Sequence, residues 1–192
     1  MTLARRTLFL LAALAVVVPS AWAQGRPAGD KLVFIVRHAE KATATDADPS
    51  LSEAGKARAE ALAYALHDAG VTSILVTSRK RTAETAAPLA SALELTSHVV
   101  PFGTGTAEHA ALVAKAVAAQ RGGAVLVVGH SNTVNAIIAA LGGPRMPDLC
   151  DAAYANLFIV RLPANGPPTL VRARFGADDH AESATCAGMT VR

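Results

Sequence analysis

The chain has 192 residues, is 52% hydrophobic and 17% charged, and carries a formal net charge of +3. Apolar content of this order excludes a disordered chain. The modest charge excludes a polycationic nucleic-acid binder, the more so because Arg5 and Arg6 lie in an initial stretch that has no acidic residue.

Residues 1–23 combine Arg5 and Arg6, an apolar run over 8–18, Pro19 and the small-x-small tripeptide Ala21-Trp22-Ala23. That order of features is a secretory signal peptide, cleaved after Ala23 and directing the protein to the periplasm or outside the cell. The apolar run falls short of the ~20 residues of a membrane span, so no stable anchor is expected after cleavage, an uncleaved anchor being the alternative. Sec and twin-arginine export both stay open. Residues 24–30 form a loose Gly- and Pro-containing lead-in, and 31–192 have the length of one domain.

Residues 31–36 predict a strand apolar on both faces, ending in Arg37-His38-Ala39-Glu40. The polar stretch 39–51 reads as a loop. Ser52 is placed to cap a helix whose Ala54, Ala57, Ala61, Leu62, Ala65 and Leu66 keep helical spacing, with Gly70 as its stop. A strand over 73–77 leads into a helix over 82–93, where Pro88 imposes a kink or a break. A short strand at 97–100, a glycine-containing loop and an alanine-rich helix over 107–120 follow. The strand 124–128 is the second intensely apolar one. It ends in Gly129-His130-Ser131-Asn132 before a helix over 133–141. Strands at 157–162 and 170–175 complete the pattern and have the spacing of a hairpin. Alternating strands and helices predict a three-layer α/β/α sandwich on a mainly parallel sheet, a mixed one being the alternative if the last two strands pair as a hairpin.

Cys150 and Cys186 are the two cysteines. Behind an export signal they form a candidate disulfide worth about 3 kcal/mol, two unpaired thiols being the alternative.

Arg37-His38, Arg81 and His130 all lie at the ends of strands that would open on one sheet edge. Two guanidiniums and an imidazole there suit a phosphoryl group, with further donors at the helix starting near Thr133. In order and spacing, Arg37-His38-Ala39-Glu40, residues 52–58, residues 78–86 and Gly129-His130-Ser131-Asn132 resemble the successive motifs of the histidine phosphatase superfamily, the phosphoglycerate mutase-like group. The likeness runs from about residue 31 to 176.

The resemblance implies that His38 is the nucleophile that takes the phosphoryl group and that Arg37, Arg81 and His130 bind its oxygens, His130 also serving catalysis. An imidazole that attacks through one nitrogen needs an acceptor on its other N–H, so His38 is expected to be held from behind. In one large branch of the family an aspartate directly follows the second histidine. Here that position is Ser131, which leaves Ser131 and Asn132 as donors or caps. Glu108 is favoured as the general acid because its interval resembles that of the acid in the mutase-like branch. Glu40 and Asp151 are the other candidates, and Glu108 also suits a plain first-turn glutamate. His109 is expected to be an exposed helix residue, and no close metal-ligand spacing is present, so neither a catalytic metal nor a cofactor is expected.

The leading expectation is therefore an exported, metal-independent phosphoric monoester hydrolase, acting on a small phosphorylated molecule or a phosphohistidine protein. A non-catalytic phosphate-binding or sensor protein of the same fold is the alternative, and a phosphoglycerate-type mutase ranks lower.

Overall fold

A strand that is apolar at every position must be covered on both faces, and two such strands side by side set the layering of the whole domain. The computed structural model describes residues 30–43 and 46–179. Strand β1 (Lys31–Arg37) sends Val33 and Ile35 into one core and Phe34 and Val36 into the other. Helices α1 (Glu53–Leu66) and α2 (Lys80–Ala92) cover the second core, and α3 (Thr106–Ala119) and α4 (Val134–Ala140) cover the first. Strand β4 (Ala124–Gly129) divides its residues in the same alternation.

With β2 (Val71–Val76), β3 (Ser97–Val99), β5 (Asn156–Leu162) and β6 (Thr169–Arg174), the sheet has six strands in the order β3-β2-β4-β1-β5-β6. The pairs β2–β3, β2–β4 and β1–β4 are parallel, while β5 runs antiparallel to β1 and β6 antiparallel to β5. The expected three-layer sandwich is thus a mixed sheet, with the last two strands as the expected hairpin. Parallel β1 and β4 pair Arg37 with Gly129, so both chains leave the sheet at the same edge. That edge carries the candidate chemistry.

Local signals account for the helix ends. Ser52 Oγ accepts the Gly55 N–H at 3.1 Å, the N-cap expected of it, and Gly70 takes φ 69° after α1. Helix α2 begins two residues earlier than its pattern suggested, at Lys80, and continues through Pro88. The missing donor at Pro88 does not end the helix because Leu89 and Ala86, buried on either side of it, hold the turn against the core.

The loop after β1 is stitched to both neighbouring helices. Ala39 N–H donates to Thr85 Oγ1 at 2.9 Å, and the Glu40 carbonyl accepts the Ser52 N–H at 2.9 Å. Arg58, buried in α1, makes a bidentate pair with the Glu40 carboxylate and donates to the carbonyls of Phe175 and Ala177. Gly55 lets α1 come this close, since a Cβ there would stand 2.2 Å from the Glu40 carbonyl oxygen. Gly55→Ala is therefore expected to lower unfolding stability by about 1–3 kcal/mol in urea denaturation. Wild-type stability in that variant would show that the loop gives way freely.

Candidate active site

The end of β1 places Arg37 and His38, the end of β4 places His130, and the first turn of α2 places Arg81. They meet at one sheet edge. All four line a cavity of 420 Å³ together with Lys41, Thr77, Ser78, Arg79, Phe102, Ser131, Asn132 and Asp151. Arg37 and His38 are each only 4% exposed, as strand-end residues become when the following loop folds back over them.

His38 has a defined tautomer. Its Nδ1–H donates to the Ala39 carbonyl at 2.8 Å, so its Nε2 carries the lone pair. The acceptor expected behind the ring is thus the peptide next to it. Burial holds the imidazolium form down, to a pKa of about 3, against the raising effect of the Ala39 hydrogen bond and with the charges of Arg37, His130 and Arg81 adding to the depression. His38 is a neutral base at any ordinary pH.

His130 takes the opposite tautomer. Arg81 Nη2 can only donate, so His130 Nδ1 accepts from it across 3.4 Å, and His130 Nε2–H donates to Thr77 Oγ1 at 3.0 Å. Its backbone N–H is held by Thr133 Oγ1 at 2.8 Å. The rings of His38 and His130 stand edge to face with centroids 5.3 Å apart. Burial, then the Arg81 charge, lowers the His130 pKa to about 4. In this arrangement His130 spends both ring nitrogens within the protein, and an oxyanion at Nδ1 requires that nitrogen to gain a proton.

The two arginines are braced by groups outside the motifs. Arg37 donates to the carbonyls of Cys150 and Asp151 at 2.9 Å, meets the Asp151 carboxylate at 3.3 Å and lies over the Tyr154 ring at 4.1 Å. Arg81 meets Asp48 at 3.4 Å. The Nε of each guanidinium is buried without a hydrogen-bond partner.

The three candidate acids separate. Glu40 is held by Arg58, away from the cavity lining. Glu108 takes hydrogen bonds from Thr104 N–H and Oγ1 at 2.7 and 2.6 Å, which lower its pKa and keep it ionised. It does not line the cavity. Asp151 does, with a side chain 95% exposed. His109, expected at the surface, is 1% exposed: its Nδ1–H donates to the Pro101 carbonyl at 2.9 Å, and its ring stacks on Phe102. It is buried because α3 turns this face toward the loop after β3. Cys186 and residues 1–23 lie outside the described residues.

Thr77, Asp48, Thr85, Arg58 and Tyr154 are supports that sequence reasoning did not pick out. Thr77 had a signal, since it directly follows β2 at the same edge, and Arg58 and Thr85 lie within the motif stretches 52–58 and 78–86. The others act across long separations in sequence that no local pattern encodes.

A family model described as the histidine phosphatase superfamily (branch 1) matches residues 33–101, from β1 through Arg81 to the loop after β3. The chain resembles the histidine phosphatases. No curated protein matches its sequence. The protein histidine phosphatase SixA complexed with tungstate superposes with a TM-score of 0.59 at 20% identity, covering 74% of this chain and 96% of that one. A mycobacterial glucosyl-3-phosphoglycerate phosphatase with inorganic phosphate gives 0.55 at 18%, covering 78% and 97%. A protein described as mycobacterial hydrolase 2 gives 0.58 at 17%, covering 83% and 96%. At these identities the likeness is one of fold.

A bound anion favours the charged form of an adjacent base, so inorganic phosphate is expected to raise the His130 pKa above about 4. In the free protein both site imidazoles stay neutral down to about pH 4, whereas the unfolded chain protonates them near 6.5; stability from this source falls as pH drops through that window. Nitrogen-edited NMR of the imidazoles with and without phosphate checks both. A His130 titration unmoved by saturating phosphate would exclude it from the anion's contacts.

Proposed function

We propose that the protein is an exported phosphatase that hydrolyses a phosphomonoester or phosphohistidine through a covalent phosphohistidine at His38. The observation that carries this reading is the state of His38: neutral, pinned at Nδ1 by the Ala39 carbonyl, and facing a cavity with two guanidiniums. In the first step the His38 Nε2–P bond forms as the bond from phosphorus to the leaving group breaks. In the second, water attacks phosphorus, Nε2 is released neutral, and the products are inorganic phosphate and the protonated leaving group.

Arg37 and Arg81 line the cavity and set their guanidinium charges against the equatorial oxygens, and His130, once protonated, adds a donor. Ser131 and Asn132 stand in the same lining. The acid that serves the leaving group is assigned between Glu108 and Asp151, and position favours Asp151. These residues perform the transfer without a metal.

The test is acid-quench trapping with a radiolabelled aryl phosphate. Wild type is expected to carry label and release phosphate in the presence of a chelator, while His38→Ala does neither. Arg81→Ala lowers kcat by about a hundredfold or more. Stoichiometric phosphate binding with no label and no turnover would leave the phosphate-sensor alternative in place. With a poor leaving group, Asp151→Asn is expected to slow release more than Glu108→Gln, and the reverse order would return the acid to Glu108.

Export rests on residues 1–23, and the Cys150–Cys186 bridge on the compartment that export implies. The protein recovered from its native host is expected to begin at Gln24 and to give a joined Cys150–Cys186 peptide in a non-reducing digest. An intact Met1 in the mature protein would sink the export reading.

A further inference from the structure

Resting on the phosphatase reading, we propose that Lys41 and Arg79 form a second anion-binding position in the cavity, so that the substrate is a small phosphorylated molecule bearing another negatively charged group. Charge pairing carries the argument. Arg37 is met by Asp151 at 3.3 Å, Arg81 by Asp48 at 3.4 Å, and Lys80 by Asp46 at 3.8 Å. Lys41 and Arg79 line the same 420 Å³ cavity, both are exposed, and among the described residues neither has a carboxylate within ion-pair distance.

The two cations come from different elements that the fold brings to one opening: Lys41 from the loop after β1, where it bridges to Leu51, and Arg79 from the residue preceding α2. Arg79 is close enough for its charge to bear on both Arg81 and His130. Lys41 also lines, with Arg81, an adjoining hollow of 360 Å³. The transferred phosphoryl group has to reach buried His38. Exposed Lys41 and Arg79 therefore face the part of the substrate that stays outside.

Size and lining identify that part as small. The cavity volume lies within the ~300–1,000 Å³ of small-ligand sites. Phe102 forms its apolar wall, 37% exposed and held by stacking on His109 at 5.0 Å and 14°. An organic body against Phe102, a phosphoryl group at His38 and a second anion at Lys41 and Arg79 would use the aromatic ring and the two unpaired cations that the opening presents, with Asp151 left beside the leaving group.

The experiment compares meta-carboxyphenyl phosphate with its neutral isostere, meta-carbamoylphenyl phosphate. Wild type is expected to favour the carboxylate in kcat/KM by roughly three- to tenfold, the scale of an exposed ion pair, and less so in high salt. Lys41→Met and Arg79→Met bring the ratio toward one, and Lys41→Arg and Arg79→Lys retain it. A wild-type ratio of one, or a ratio that survives both methionine variants, overturns the proposal. The phosphatase reading is scored separately, by whether His38→Ala abolishes turnover of the carbamoyl compound. If neither compound is turned over, the same pair is compared by calorimetric binding, where a preference for the carboxylate supports the second position and equal affinities, or no binding, overturn it.

Discussion

The parallel register of β1 against β4 is the constraint on which the site depends. Arg37 lies opposite Gly129, and the pairing runs one bond further, with His38 N–H donating to the Gly129 carbonyl at 2.9 Å. Because the strands run the same way, each delivers its next residue to the same side of the sheet, and the two histidines meet. Strand β2 lies parallel on the far side of β4 and brings Thr77 and the start of α2, with Arg81, to that edge. A slip of one residue would turn the alternate side chains through the sheet and exchange the two cores. The apolar runs that bury Val33, Ile35, Val125 and Val127 on one face and Phe34, Val36, Leu126 and Val128 on the other hold that register. The chemistry at the edge is thus set by packing well below it.

Given that edge, electrostatics fix the state of each group. Burial keeps both imidazoles neutral, and hydrogen bonding divides them into opposite tautomers, His38 held at Nδ1 by a peptide and His130 at Nε2 by Thr77. The guanidiniums are oriented by acids and carbonyls from loops on either side, Asp48 for Arg81 and the Cys150–Asp151 backbone for Arg37. Neither brace reaches the Nε groups. A buried donor without an acceptor costs about 1–3 kcal/mol, and the fold carries that cost at both guanidiniums. Preorganisation here means that the fold has oriented these donors before any ligand arrives.

The sequence carried the fold because its signals were local and repeated. Two apolar runs, a serine cap at Ser52 and glycines after helices marked the elements to within a few residues, and strand alternation with helices implied the layers. Arg37, His38 and His130 were legible because each closes or directly follows a strand, and Arg81 because it lies just beyond one. Legibility failed where a side chain's fate depends on a partner far along the chain. Glu40 looked available beside His38, yet Arg58 claims it from α1. His109 has the polar type of a surface residue but is buried by the Pro101 carbonyl and Phe102. Tyr154 and Asp48 had no motif to mark them, since their work is to brace an arginine more than thirty positions away.

For the proposed reaction, the division between what would hold the phosphoryl group and what would serve the leaving group has a chemical consequence. The phosphoryl end is ringed by buried, braced groups, whereas the carboxylates near it are engaged elsewhere: Glu40 with Arg58, Glu108 with Thr104, Asp151 with Arg37. The hydrogen bonds from Thr104 keep Glu108 ionised, which leaves Asp151, exposed in the cavity lining, nearest to the departing group. Attack at phosphorus is thus served by several buried groups, and departure of the leaving group by one exposed carboxylate. Under such an arrangement the rate follows the leaving group's own stability as it departs, and discrimination among substrates passes from the phosphate, which all of them share, to the body that Phe102, Lys41 and Arg79 face.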